Sequence, residues 1–136
     1  MYLLATANGS QIFLQNVDSK LTLTPFPTPS TAYGCAFSPN GALLAVAHSS
    51  SPHITIYNTS TWAKLANPSV LPPSTANGCA FSPNGALLAV AHGGSPHITI
   101  YNTSTWAKRA NPSGLPPSAA YGCAFSPNGA LLAVAH

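Results

Sequence analysis

Residues 34–48 read Gly-Cys-Ala-Phe-Ser-Pro-Asn-Gly-Ala-Leu-Leu-Ala-Val-Ala-His, and the same phrase recurs from Gly78 and from Gly122. Successive copies begin 44 residues apart, so the spacing is constant along the chain. Units of about 40 to 45 residues are typical of some sheet-based repeats, but helical repeats reach similar lengths. The repeat length alone therefore does not distinguish strands from helices, and the residues inside one unit have to be considered.

Each unit predicts four short strands joined by turns. The first is Tyr33 to Phe37, and the next four residues, Ser-Pro-Asn-Gly, have the chemistry of a tight turn. The nearly continuous apolar run from Leu43 to His48 is typical of a strand covered on both faces. The stretch from His53 to Tyr57 alternates β-branched and aromatic residues, which indicates a third strand. The more polar stretch from Trp62 to Ala66 predicts a short outer strand.

The segment from Asn67 to Ser74 joins one unit to the next. Its prolines remove amide donors and fix φ, which excludes a helix or a central strand. Four strands per unit with few helical signals predict an all-β chain of β-propeller blades. Each blade is expected to be a four-stranded antiparallel sheet with a 44-residue repeat.

The whole chain, residues 1–136, is predicted to be a single array of blades. Leu3 to Asn8 matches Leu43 to His48, so blade 1 covers residues 2–24 and begins at its second strand. Blade 2 covers residues 33–67, blade 3 covers residues 77–111, and a partial blade 4 at residues 121–136 has the first two strands. Closed propellers have about four to eight blades, so about three blades predict an incomplete ring.

An incomplete ring leaves the flat faces of its outer blades open. Either copies of the chain associate head to tail, or the chain is one part of a longer array. Both ends supply a second strand, so head-to-tail closure has one strand in excess, which favours an excerpt or a strand that rearranges on assembly. The expected partner is therefore protein, either a second copy or adjacent blades.

The phrases Ala-Phe-Ser-Pro-Asn-Gly, Leu-Leu-Ala-Val-Ala-His and Ile-Thr-Ile-Tyr-Asn carry a resemblance to known families. Their order resembles the blades of WD-repeat proteins and equally those of YVTN-type propellers. It is also similar to the highly repetitive propeller segments of bacteriophage virion and tail proteins, which implies a virion or extracellular location. Tyr57-Asn58 and Tyr101-Asn102 stand where a WD repeat has Trp-Asp, so the hydrogen-bonded tetrad of that family is expected to be absent.

Catalysis is not expected, because Asp18 is the only carboxylate residue in the chain. A single carboxylate excludes paired-carboxylate hydrolysis and multi-carboxylate metal sites within one chain. No serine lies in Gly-x-Ser-x-Gly, and most catalytic triads need an acid that is missing here. The chain is predicted to have no enzymatic activity and no cofactor.

Nucleic acids and membranes are not expected as partners. Phosphate binding needs clustered cations, whereas the basic residues here are few and spread out: Lys20, Lys64, Lys108 and Arg109. No apolar run approaches the roughly 20 residues of a membrane helix, and no signal peptide is recognised. The location of the protein is otherwise left open.

The repeated histidines are candidate metal ligands. His48 and His53 are predicted to face each other across a hairpin, as are His92 and His97, and imidazole binds zinc, copper and nickel. No carboxylate lies nearby in the sequence to orient the rings. Structural or surface histidines are therefore the preferred interpretation, and no metal site is predicted.

Recurring aromatic residues are candidates for binding a glycan or a protein partner. Trp62 and Trp106 lie on the predicted outer strand, and Tyr33 and Tyr121 lie near the blade entrance. The alternative, which is preferred, is that these aromatic side chains pack the outer strand onto its blade.

Cys35, Cys79 and Cys123 occupy one position in successive repeats. Their odd number and equivalent placement argue against a disulfide framework. They are predicted to be small buried hydrophobic residues, with a ring of thiols lining a central channel as the alternative.

The two complete repeats differ only in turns, the outer strand and the interblade link, where a partner would make contact. The first hypothesis is a non-catalytic scaffold or binding protein, a structural or adhesive component of a phage particle. The alternatives are a glycan-binding, lectin-like propeller and, after it, an enzyme of the YVTN-type class.

Overall fold

The computed structural model of the chain describes residues 3–20 and 26–136. Over those residues the chain is all-β, and it forms no helix with the length and apolarity needed to span a membrane. The strands, in chain order, are β1 (Leu3–Asn8), β2 (Gln11–Asn16), β3 (Phe26–Pro27), β4 (Ala32–Phe37), β5 (Leu43–His48), β6 (Ile54–Asn58), β7 (Ala76–Phe81), β8 (Leu87–His92), β9 (Ile98–Asn102), β10 (Gly122–Phe125) and β11 (Leu132–Ala135).

The strands form four separate antiparallel sheets, which are the blades of an incomplete propeller. Blade 1 has the order β1-β2-β3, blade 2 β4-β5-β6, blade 3 β7-β8-β9, and blade 4 β10-β11. The predicted range of blade 1, residues 2–24, ends within residues 21–25, which lie outside the described residues.

The turn between β4 and β5 follows the chemistry expected from Ser-Pro-Asn-Gly. The Gly41 amide donates to the Ser38 carbonyl at 2.8 Å, and Gly41 has a φ of 72°, a conformation that glycine adopts without strain. The Ser38 hydroxyl bonds Asn40 Oδ1 at 2.8 Å and accepts from the Leu43 amide at 3.0 Å. The turn therefore sets the register of the hairpin from its own side chains.

The outer strand predicted at Trp62 to Ala66 is reduced to a single bridge, in which Tyr57 pairs with Lys64. Trp62 has a φ of 56°, in the left-handed region, so the chain cannot be extended there. The Asn58 side chain accepts from the amide of Ser60 at 2.8 Å and holds the chain in a turn. Each complete blade therefore has three full strands and a fourth of one residue pair, since blade 3 repeats this arrangement at Tyr101 and Lys108.

Side-chain alternation gives every blade two unlike faces, because residues that pair across strands point to the same side of the sheet. We name them the leucine face and the alanine face. In blade 2 the leucine face carries Leu44, Val46, Thr55 and Tyr57, and the alanine face carries Ala45, Ala47, Ile54 and Ile56.

The leucine face of each of blades 2, 3 and 4 packs on the alanine face of the blade before it. Between blades 2 and 3, Leu88, Val90 and Tyr101 are buried against Ala45 and Ala47. The same arrangement recurs between blades 1 and 2 and between blades 3 and 4. Full burial of one such large side chain contributes about 1.5 to 3 kcal/mol, so these interfaces are the main source of stability.

Glycine permits the innermost strands of neighbouring blades to approach closely. A Cβ atom on Gly34 would lie 3.2 Å from Gly78 Cα, and one on Gly78 would lie 3.2 Å from the Tyr121 carbonyl oxygen. A Cβ atom on Gly122 would meet nothing within 4 Å. Glycine therefore avoids a tight backbone contact at this position where another blade follows.

Replacing Gly78 with alanine is expected to destabilise the fold by about 1 to 3 kcal/mol, because the added methyl group would lie only 3.2 Å from the Tyr121 carbonyl oxygen and would push against backbone atoms of the next blade. The matched control is Gly122→Ala, which adds the same group to the same strand position without a contact. Urea unfolding of samples confirmed as monomers by mass measures both free energies. Equal stability of the two variants would contradict the steric argument.

Candidate functional site

Two buried histidines lie at the ends of the second strands of blades 2 and 3. His48 Nε2 is 2.9 Å from the Thr55 hydroxyl, and His92 Nε2 is 2.8 Å from the Thr99 hydroxyl. Each histidine thus bonds to the third strand of its own blade.

The other ring nitrogen of each histidine is also bonded. Nδ1 of His48 is 3.0 Å from the Ser30 hydroxyl, and Nδ1 of His92 is 2.9 Å from the Gly94 carbonyl oxygen. A carbonyl can only accept, so Nδ1 of His92 donates the proton and the Thr99 hydroxyl donates to Nε2. Burial lowers the pKa of His48 and of His92, which favours the neutral rings that these bonds require.

Serines of the interblade links complete this network, and sequence analysis missed them. Ser30 accepts from the Ser50 amide at 2.9 Å, and Ser74 accepts from the Gly94 amide at 2.5 Å. The link before each blade is thereby tied to the turn after its second strand. A recurring Ser-to-His separation of 18 residues, also present at Ser118 and His136, was the available signal.

The candidate metal ligands are held in separate hydrogen bonds. The predicted hairpin exists, since the His48 amide donates to the His53 carbonyl at 2.9 Å, but the two rings bond separately. The Nδ1 atoms of His53 and His97 each lie 3.1 Å from a backbone carbonyl. Both ring nitrogens of His48 and of His92 make hydrogen bonds within the protein, as the preferred structural interpretation of these histidines requires. In the part of the chain that the structure describes, no three potential ligand side chains are grouped around a common point.

The three cysteines lie in the blade interfaces. Each thiol donates to an alanine carbonyl of the preceding blade: Cys35 to Ala5 at 3.4 Å, Cys79 to Ala45 at 3.7 Å and Cys123 to Ala89 at 3.6 Å. Burial raises the pKa of Cys79 well above its ordinary value and that of Cys123 to about 11. Neutral, packed thiols are poor nucleophiles, so these residues act in packing.

The tryptophans and tyrosines singled out from the sequence differ in exposure. Trp62 packs on the cluster between blades 1 and 2, and Trp106 packs on the cluster between blades 2 and 3. These contacts agree with the interpretation preferred from the sequence, in which the tryptophans pack against their blades. Tyr33 and Tyr121 are 54% and 68% exposed. Of the four aromatic candidates, the two tyrosines are therefore the accessible ones.

Two blade faces are open over the described residues. Ala124, Ala133 and Ala135 are exposed on the alanine face of blade 4. Leu4 is 51% exposed on the leucine face of blade 1, where Thr6 is also exposed. The chain thus presents one face of each kind.

A groove, here the β11 groove, runs beside β11. It is lined by Ile98 and Ile100 of β9, by Leu132 and Val134 of β11, and by the link from Pro112 to Pro117. At the equivalent place between blades 2 and 3, Tyr101 is buried and its hydroxyl donates to the Val70 carbonyl at 2.7 Å. The β11 groove therefore lies where the third strand of a complete blade 4 would pack.

Replacing Thr99 with valine is expected to cost about 1 to 3 kcal/mol of unfolding free energy, because Nε2 of buried His92 loses its hydrogen-bond donor. Thr105→Val, at an exposed turn position, is the control with the same change in side chain. Chemical denaturation monitored by tryptophan fluorescence measures both. A Thr99→Val variant as stable as the control would show that this hydrogen-bond network does not contribute to the stability of the fold.

Stability is expected to be highest between about pH 6.5 and pH 9. The pKa values of His48 and His92 are lowered from 6.5, so the unfolded chain binds more protons below that pH and stability falls with acidity. The pKa values of the cysteines are raised from 9.0, so the folded chain binds more protons above that pH and stability falls as pH rises. Denaturation from pH 5 to 10.5 tests this, and a flat profile is the contrary result.

Comparison with known proteins identifies the fold and no family. No family model matches the chain, and no curated protein matches it. Among solved structures, hydrazine synthase of Kuenenia stuttgartiensis, a β-propeller-containing protein, aligns with a TM-score of 0.77 at 17% identity. The alignment covers 92% of this chain and 35% of that one, so the chain spans about a third of the matched protein. The chain is an all-β array of β-propeller blades.

Proposed function

We propose that the chain is a non-catalytic β-propeller scaffold that works by binding further blades of its own kind through its open blade faces. The observation that carries this proposal is the alanine face of blade 4. Its exposed Ala133 and Ala135 occupy the positions of Ala45 and Ala47, which are buried under the leucine face of blade 3. A surface that is an interface elsewhere in the same chain has the shape and chemistry to be one again.

The absence of charge on these faces supports association. The open alanine face is lined by Gly122, Cys123 and alanines only, and the leucine face of blade 1 carries Leu4, Thr6, Phe13 and Gln15. Among the described residues neither face has a charge to desolvate, and large side chains on one face meet small ones on the other. Head-to-tail contact therefore repeats the packing already present between blades.

The side-chain chemistry supports a role without catalysis. The buried histidines use both nitrogens in hydrogen bonds, and the thiols are held neutral in the interfaces. Asp18 is the only carboxylate residue. The resemblance of the repeats to bacteriophage virion and tail propellers supports the proposal that this scaffold is a structural or adhesive component of a phage particle.

Glycan binding is the second candidate function, and the exposure of Tyr33 and Tyr121 favours it. Both residues lie next to the first residue of the innermost strand of their blade, where blade 3 has Asn77 bonded to the Ala120 carbonyl at 2.8 Å. Exposed tyrosine rings offer an apolar face and a hydroxyl to a sugar. The site would lie where the innermost strands begin, away from the open blade faces.

Native mass spectrometry of the 13.9 kDa chain tests the scaffold proposal, and a defined oligomer is the expected result. Ala124→Glu places a charge on the open alanine face and is expected to give monomers. Ala86→Glu is the matched control, because it places the same charge in the exposed β7–β8 turn, away from that face. A monomeric unmodified chain, or equal association of the two variants, would contradict the proposal.

A further inference from the structure

Blades 1 and 4 are complementary parts of one blade over the described residues. The Cys35 thiol bonds the carbonyl of Ala5 as the Cys79 thiol bonds that of Ala45, which identifies β1 as a second strand. Blade 1 then consists of a second, a third and an outer strand, and blade 4 of a first and a second strand. Together they hold one complete set of strands and one second strand in excess.

The two second strands are nearly the same sequence. Residues 3–7 read Leu-Leu-Ala-Thr-Ala and residues 131–135 read Leu-Leu-Ala-Val-Ala, so they differ only at Thr6 and Val134. In blade 4, Cys123 pairs with Val134, as Cys35 pairs with Val46 in blade 2. Valine and threonine are both β-branched, so β1 can pair with β10 in the register that β11 uses.

If β1 pairs with β10, the neighbouring strand β2 becomes the third strand of the blade. Over the described residues, β11 has no such strand beside it. β2 is hydrogen-bonded to β1 from Leu3–Asn16 to Asn8–Gln11. It would therefore lie in the β11 groove, over Ile98 and Ile100. The apolar surface left open beside β11 is then covered, while each backbone pair lost with β11 is replaced by one with β1.

The polarity of the groove fits β2 better than it fits the third strand of blade 2 or blade 3. The position of Tyr57 and Tyr101 is Gln15 in β2. Around buried Tyr101 lie Leu65, which packs on the same cluster, and Val70. The equivalent residues of the next repeat are Arg109 and Gly114, both exposed, and Gly114 lines the β11 groove. Gln15 thus has a polar amide where the other blades have a tyrosine ring. The apolar neighbours of that ring, Leu65 and Val70, are also absent from the corresponding positions.

We propose that blade 4 is completed by a second copy of this chain, whose β1 displaces β11 from β10 and whose β2 fills the β11 groove. This inference rests on the proposed self-association and specifies it as an exchange of strands. Ala5 and Ala7 of the second copy take the places of Ala133 and Ala135 on the alanine face. Each copy then contributes about three blades, and two copies close a ring of about six, within the usual range of about four to eight. The excess second strand is the displaced β11.

The substitution Thr6→Cys tests the exchange, because the new cysteine can form a disulfide with a cysteine that the protein already has. In the exchanged blade, residue 6 of one copy stands opposite Cys123 of the other, in the register of Cys35 and Val46. Opposite residues of antiparallel strands are close enough for a disulfide. Within one chain, Thr6 is exposed on the leucine face of blade 1, away from the Cys35 thiol, which contacts the other face. Mild oxidation is expected to give covalent dimers linked through residue 6 and Cys123.

Leu4→Cys is the matched control. Leu4 is exposed on the same face of the same strand, but the register places it opposite Phe125 rather than a cysteine. It is expected to give few dimers under the same oxidation. Peptide mapping of the cross-linked product identifies the two cysteines, and abundant dimers through Leu4→Cys, or links that avoid Cys123, would overturn the exchange.

A second variant, Val134→Cys, tests the displacement of β11 directly. Residue 134 is opposite Cys123 within one chain, so oxidation before assembly locks β11 onto β10. The oxidised variant is expected to be monomeric and the reduced variant dimeric in native mass spectra. Dimers of the locked variant would overturn the displacement while leaving self-association intact. An unmodified chain that stays monomeric at every concentration would overturn self-association and the exchange together.

Discussion

The fit of a leucine face onto an alanine face is the contact on which the rest of the structure depends. Within one blade, three or four short strands cannot bury their own faces, so each sheet is stable only between neighbours. Small side chains at Ala45 and Ala47 leave room for Leu88, Val90 and Tyr101, and the glycines of the innermost strands permit the close approach that this packing needs. The histidine and serine network then attaches each link to the blade that follows it.

Most of the fold could be predicted from the sequence because its signals are local. The turn at Ser38 to Gly41 and the apolar run from Leu43 to His48 each predict their structure from adjacent residues, and the structure has both. The extent of the outer strand could not be predicted in the same way. It is cut short by the left-handed backbone at Trp62, a conformation that tryptophan does not signal.

The candidate site was less predictable because its contacts join distant segments. The role of His48 depends on Ser30, which lies in the preceding link, and on Thr55, which lies across a hairpin. Blade 1 shows the dependence from the other side: it has Asn8 in place of the histidine and Phe13 in place of the threonine. The two partners are lost together, as expected when each residue is retained for the bond that it makes with the other.

Because the interfaces between blades are so similar, they do not determine the order of the blades along the chain. The strands of the alanine face carry the same residues in blades 2 and 3, so these strand positions do not distinguish one leucine face from another. The side chains of the paired strands therefore determine how neighbouring blades pack, but not which position a blade takes in the array. The order of blades is held by the covalent links, and the gain or loss of a whole 44-residue unit creates no new contact. Such a repeat can change in copy number during evolution without redesign of its core.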